Sequence, residues 1–238
     1  MGNLLSRLAG PFREFGAFSG LLYAASRVLP MLSPRLNLYV YDLMVQPVTG
    51  KALLPQRLSQ AFSVAPIGPE AAELGLMPAP RSVIEGRFAQ GSICLGAWRG
   101  GQLTGYMWLC PSRYDEDEVR CRYQLLPAGQ SVFDFDVHIF PEHRLGFAFV
   151  ALWNGANHWL QDQGVKFSFS RISRFNVASR RAHTRLGCRR LGSAAFLRAG
   201  QAQVMVATVS PYVDISTRST ASPTMNLQPP ASDLPVSR

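Results

Sequence analysis

The chain has 238 residues, 47% hydrophobic and 16% charged, a composition that can bury one substantial core and that excludes a wholly disordered protein. Its formal net charge of +9 rests almost wholly on arginine, since Lys51 and Lys166 are its lysines, so anionic partners are expected. Cys94, Cys110, Cys121 and Cys188 form no C-x-x-C pair and no metal-ligand spacing with His138, His143, His158 or His183. That argues against zinc and against a disulfide framework, and reduced, buried thiols in a cytoplasmic protein are expected.

In chain order, "FGAFSGLLYAASRVLPML" (15–32) is apolar but interrupted by Arg27 and Pro30, whereas a membrane span needs roughly 20 apolar residues. An amphipathic helical extension over residues 1–35 is expected instead. It would dock on its own domain or on a second copy in a homodimer, or lie peripherally on the inner face of a membrane, where Arg7, Arg13, Arg27 and Arg35 suit anionic lipid. "MGNLLS" also matches the short N-myristoylation pattern, with Gly2 and Ser6.

From residue 36 the pattern turns to short strands. "LNLYVYDLMV" and "AFSVAPI" have strand composition, and "PEAAELGL" and "PRSVIEGRFAQG" read as short helices, the second stopped by Gly91. "SICLGAWRGGQLTGYMWLC" predicts a hairpin turning at Gly100 and Gly101. The acidic run "DEDE" (115–118) falls in the following loop, before the strand patterns "VRCRYQLL" and "SVFDFDVHIF". Strict alternation would put Asp134 and Asp136 together, opposite Phe135. "LGFAFVALWNGANHWLQDQG" has helical spacing with Gly164 as its stop, "VKFSFSRI" is a strand, and "RRLGSAAFLRAGQAQVMVATVS" ends as a hairpin. Residues 214–238, rich in Ser, Thr and Pro, are expected to be a disordered tail. The order predicts an α/β fold: a single mixed β-sheet domain over residues 36–213, flanked by helices.

Between the last helix and its neighbours lies "SRISRFNVASRRAHTRLGCRRLG" (170–192), with seven arginines, one histidine and no acidic residue. Within it Asn176, Ser179 and His183 share a helix face, beside an expected apolar line of Ala178, Ala182 and Leu186. The spacing Asn176, Ser179, His183, Leu186-Gly187-Cys188 resembles the N-x-x-[A/S]-x-x-x-Y-x-x-x-G-[F/C] segment of the GNAT superfamily, acetyl-CoA-dependent acyltransferases. "DVHIFPEHRLGFAF", about 40 residues upstream, looks like that family's strand, proline and pyrophosphate loop. "CLGAWRGGQLTGYMWL" looks like its central hairpin. The resemblance covers roughly residues 60–208.

The resemblance implies a GNAT-like fold and an N-acetyltransferase that moves an acetyl group from acetyl-CoA to a primary amine of a small molecule or peptide by direct attack. His143, Arg144, Leu145, Gly146, Phe147 and Ala148 would hold the pyrophosphate at a helix N-terminus, which carries unpaired N–H groups and positive charge. The family's Q/R-x-x-G-x-G/A pattern is altered there: Gly146 comes one position early and Phe149 stands where a small residue is usual. Backbone N–H groups near Val137 and Ile139 would bind the thioester oxygen, the helix face of Asn176 and Ser179 would meet the thioester, Arg180 and Arg181 would reach the CoA phosphates by bidentate contacts, and His183, in the place of a tyrosine, would serve the departing sulfur. Arg180 and Arg185 nearby would lower its pKa. Asp136 would take the proton of the amine, and Glu116 and Glu118 would cover the acceptor. Two other readings stay open: a GNAT-like module that binds CoA or regulates without turnover, and a basic membrane or nucleic-acid adaptor. For nucleic acid the interleaved aromatics are missing, only Phe175 lying among the arginines, so no nucleic-acid partner is expected.

Overall fold

The computed structural model describes residues 2–218 and 222–233, with side chains from residue 16 onward. Helix α1 (Gly2–Leu32) kinks at Gly16, whose φ of 79° is open to glycine. Then follow β1 (Leu36–Pro47), the single turn α2 (Gln56–Ser59), β2 (Ser63–Ile67), α3 (Arg81–Ala89), and the strands β3 (Ile93–Arg99), β4 (Gln102–Pro111), β5 (Arg113–Asp115), β6 (Arg122–Leu125) and β7 (Ser131–Ile139). The second half comprises α4 (Ala148–Asp162), β8 (Phe167–Ser173), α5 (Val177–Arg185), β9 (Arg189–Ala199), β10 (Ala202–Ala207), β11 (Val213–Ser216) and β12 (Thr224–Leu227). The segment expected as a helix at 69–76 is a 3-10 turn, Ala72–Leu76. Gly100 and Gly101, at φ 56° and 80°, make the predicted turn between β3 and β4.

Nine strands form one sheet in the order β11-β10-β9-β1-β8-β7-β4-β3-β2. Every neighbouring pair is antiparallel except β7 and β8. A parallel pair needs a crossover, and α4 supplies it. Its apolar stripe (Ala148, Leu152, Trp153, Ala156, Leu160) packs on Leu95, Ala97, Met107 and Leu109. The opposite face of the sheet carries Leu43, Trp108, Phe133 and Phe169, covered by α3, the 3-10 turn and a small second sheet, β12-β6-β5. The mixed α/β class and the order of hairpin, strand, loop, helix, strand, helix and hairpin are as the sequence leads one to expect.

Two short segments of the expected tail are paired into sheets. Val213–Ser216 pairs with β10 as the sheet's edge, and β12 runs parallel to β6, burying Met225 and Leu227. Two hydrophobes spaced by two residues were enough to anchor a strand once a partner edge existed; composition alone does not reveal that edge. Residues 219–221 and 234–238 of the expected tail lie outside the described residues. Among the described residues no helix is long and apolar enough to cross a membrane.

Candidate functional site

Strands β7 and β8 pair for only three residues, Ser131–Phe133 against Phe167–Phe169. Beyond them β7 stays bonded to β4 and β8 to β1, so the two strands are pulled apart toward their carboxyl ends. The opening holds a cavity of about 190 Å³ lined by Asp134, Asp136, Val137, Ser170, Asn176 and His183, with Ser179 beside them. An α/β sheet offers ligand sites where neighbouring strands part in this way, because their facing backbone groups have lost ladder partners.

A β-bulge shapes one wall. Trp108 opposes Phe135 and Tyr106 opposes His138, so Asp136 and Val137 share the single partner position of Met107. Asp136 takes φ 47° there. The extra residue breaks the expected alternation: Asp134 and Asp136 do not share a face. Asp134 is buried on the side of the cavity it shares with Ser179 and His183 of α5, where Ser168 donates to it at 2.6 Å, and burial pushes its carboxyl up to about 7 against the hydrogen bonds of Ser168 and Ser170. Asp136 turns to the other face and receives Arg87 of α3 at 2.5 Å. Gly105 lies where β4 approaches this bend; a Cβ there would sit 2.6 Å from the His138 carbonyl and 2.5 Å from Ile139 Cδ1.

The loop after β7 is a 3-10 turn, Pro141–His143, leading through 144–147 into α4. Arg144 Nε donates to the Ile139 carbonyl at 2.9 Å, which fixes the guanidinium beside the helix N-terminus, and among the described residues its two terminal amino groups have no partner. Gly146 has room, its nearest contact for an added Cβ being 3.5 Å away. The first-turn N–H groups of α4 have no intrahelical acceptors and no side-chain cap. Leu145 is fully exposed and Phe147 half-exposed, whereas Ala148 and Ile139 belong to the core under α4. The residues present therefore suit a diphosphate beside α4, with an extended thioester arm reaching into the opening.

On α5 the predicted face is formed in part. Asn176 caps the helix, its side chain accepting from the Ser179 N–H at 3.0 Å. His183 is 3% exposed, edge-on to Phe149 and Trp153 with centroids 5.7 and 5.5 Å away, and its Nδ1 is buried without a partner. Burial, rather than the arginines expected to act on it, lowers its pKa to about 4, so the imidazole is neutral near pH 7. The expected apolar line is broken by Ala178, which is exposed. Arg180 does not reach the opening either: it pairs with Asp42 at 3.3 Å and donates to the Arg174 carbonyl on another side of the helix.

Across the sheet from the opening, a second cavity of about 370 Å³ is lined by Arg87, Asp117, Glu118, Phe135, Asp136 and Arg171. Phe135, Asp136 and Arg171 border both. Arg171 grips Glu116 through two hydrogen bonds of 2.6 and 2.8 Å, pairs with Glu118 at 2.8 Å and lies 4.7 Å over the Tyr41 ring. Glu116 is thus wholly buried and consumed by that pair, leaving Asp117 and Glu118 of the acidic run at the cavity. Asp134, Arg87 and Arg171 were not selected from the sequence. A strongly apolar strand interrupted by two carboxylates was the available signal for Asp134; the two arginines are placed by tertiary contacts alone.

No family model matches this sequence, and no curated protein does. Among solved structures, the chain is similar to a conserved protein of unknown function from Staphylococcus epidermidis (TM-score 0.49, 9% identity, 73% of this chain and 66% of the other). It is also similar to a Novosphingobium aromaticivorans protein assigned to the GNAT acetyltransferases (0.47, 13%, 68% and 66%) and to a tandem GNAT protein of clavulanic acid biosynthesis (0.44, 15%, 68% and 54%). The chain spans less than two thirds of each. At these scores and identities the likenesses carry no weight for the chemistry, which rests on the chain's own geometry.

Proposed function

We propose that this protein is an acyl-CoA-dependent N-acyltransferase that moves an acetyl group from acetyl-CoA to a primary amine. The observation that carries the reading is the parting of β7 and β8, with a helix N-terminus and a half-free Arg144 at its mouth and a carboxylate, Asp136, reaching through to a second cavity. The thioester arm would lie in the opening against Val137, Asn176 and Ser179, with its diphosphate at Arg144 and the first turn of α4. The amine would enter from the cavity across the sheet, where Asp117, Glu118 and Asp136 favour a cation.

Attack on the thioester carbon forms the C–N bond, backbone N–H groups near Val137 hold the developing oxyanion, and the C–S bond breaks. Asp136 takes the proton released by the amine. His183, neutral at working pH, supplies a hydrogen bond to the departing sulfur rather than transferring a proton held as imidazolium. Arg87 positions Asp136 and neutralises it between turnovers. The reading in which the fold binds CoA without turnover differs only in the last steps.

Calorimetry with acetyl-CoA, followed by thiol release over a panel of primary amines, tests the reading. Binding that Arg144→Glu weakens by about tenfold or more, with amine-dependent thiol release, is expected. Failure to bind acetyl-CoA would overturn it, and binding without release for any amine would leave the non-catalytic reading.

A further inference from the structure

Helix α5 shows the opening between β7 and β8 only one of its sides. On another, Val177, Arg180, Arg181, Thr184 and Arg185 face Asp42 and Met44 of β1, enclosing with Cys188 and Arg190 a cavity of about 680 Å³. It shares no lining residue with the opening or with the cavity across the sheet.

Its charge is unbalanced. Four arginines line it against one carboxylate, Asp42, which is 2% exposed. Asp42 already holds Arg174 at 2.8 Å, Arg190 at 3.1 Å and Arg180 at 3.3 Å. One buried carboxylate cannot neutralise three guanidinium groups, but it can fix their positions. Arg181 and Arg185, one helical turn apart, have neither a hydrogen-bond nor an ion-pair partner for their side chains among the described residues, and like charges at this spacing repel. The floor is apolar, formed by Met44 and Cys188, which pack with Ile172. Among the described residues no aromatic side chain lines the cavity, so it lacks the stacking platforms of a single-stranded nucleic-acid site. Its volume is in the range of small-molecule pockets, roughly 300–1,000 Å³, and a concave wall suits a small ligand better than a protein surface.

We propose that this cavity is a second anion site, for a ligand that joins a phosphate group to an uncharged moiety. Arg181 and Arg185 clamp the phosphate through charge-assisted hydrogen bonds, and the uncharged part lies over Met44 and Cys188. A soluble phosphoester and a phospholipid headgroup share this chemistry. The site stands apart from acyl transfer and does not depend on it.

The test is titration of full-length Arg144→Glu, in which the diphosphate site beside α4 carries a repelling charge, with inorganic pyrophosphate by calorimetry at low salt, beside the triple variant Arg144→Glu/Arg181→Gln/Arg185→Gln, which leaves the Asp42 cluster intact. Arg144→Glu is expected to bind pyrophosphate and the triple variant to bind it about tenfold or more weakly. Co-sedimentation with phosphatidylcholine vesicles, with and without phosphatidic acid, then separates the sources. Sedimentation that requires both phosphatidic acid and the two arginines assigns the phosphate to a lipid; its absence, with pyrophosphate binding retained, assigns it to a soluble phosphoester. No pyrophosphate binding to Arg144→Glu, or binding there that is indifferent to the two glutamine substitutions, overturns the proposal.

Discussion

Arg87 and Asp136 meet at 2.5 Å across the face of the sheet, joining α3 to the one bulge of β7. The guanidinium also reaches Asp117 at 3.4 Å and lies 5.1 Å over Phe135 and 5.3 Å over Trp108, so a buried cation is held by two carboxylates and two aromatic faces together. The bulge turns Asp136 away from Asp134, and the ion pair keeps it turned.

Arg87→Met should therefore cost about 2 kcal/mol of stability, because Asp136 loses its partner while remaining partly buried. Urea denaturation measures it, and an unchanged midpoint would show that the pair contributes nothing. Asp136→Asn, close in shape, should lower kcat by about a hundredfold or more with little change in acetyl-CoA affinity if the carboxylate accepts the amine's proton.

Asp134 gives the stability a pH dependence of definite sign. Its folded-state pKa, raised to about 7 by burial, exceeds the unfolded value of about 3.9, so between those values the folded state holds a proton that the unfolded state has lost. The contribution is fully present below about pH 4 and is lost as pH rises through about 7. Denaturant midpoints for wild type and Asp134→Asn should diverge over this window, the wild type losing ground toward neutral pH. Parallel curves would remove Asp134 as the cause.

His183 works in the opposite direction. Burial lowers it to about 4, so the unfolded chain, with a pKa of about 6.5, takes up a proton first, and the contribution present above about pH 6.5 is lost as pH falls through about 4. His183→Leu keeps an apolar ring-sized group against Phe149 and Trp153. It should gain stability relative to wild type below pH 6, yet lower the maximal rate by about tenfold or more if an N–H serves the sulfur. Equal rates would reduce the histidine to packing.

The end of the chain is predicted to be structural. Met225 is completely buried in the core under β6, and Met225→Ala should cost about 2–4 kcal/mol. Thermal unfolding would read this as a lowered midpoint; a neutral substitution would return these residues to the tail.

Deleting residues 1–31 should leave acetyl-CoA affinity within about threefold, since none of the described side chains of residues 16–31 lines the opening. Tyr23, however, stands edge-on to Phe175 at 5.3 Å and, with Arg27, walls a cavity of about 340 Å³ that also reaches Arg171 and Glu118. The acceptor's KM is therefore expected to rise. Calorimetry and steady-state kinetics on the truncated protein separate the two effects.

Local rules carried the sequence reading far. Alternation and glycine stops located the β3–β4 hairpin, β7, α4, β8, α5 and the β9–β10 hairpin, because each depends on residues close in the chain. The same spacing put Asn176, Ser179 and His183 near one opening. Three things needed the tertiary structure. The bulge at Asp136 follows from how β7 registers against β4, and one inserted residue reverses the faces that alternation assigns. The arginines of residues 170–192 read as one basic stretch, yet Asp42, more than a hundred residues earlier, draws Arg174, Arg180 and Arg190 to a different side from the opening. The strand at Thr224–Leu227 exists because β6 presents an edge to it. Short-range periodicity determines which segments become helices and strands; partners distant in sequence decide where a charge points and whether a polar segment is ordered, since those energies arise only when the segments meet.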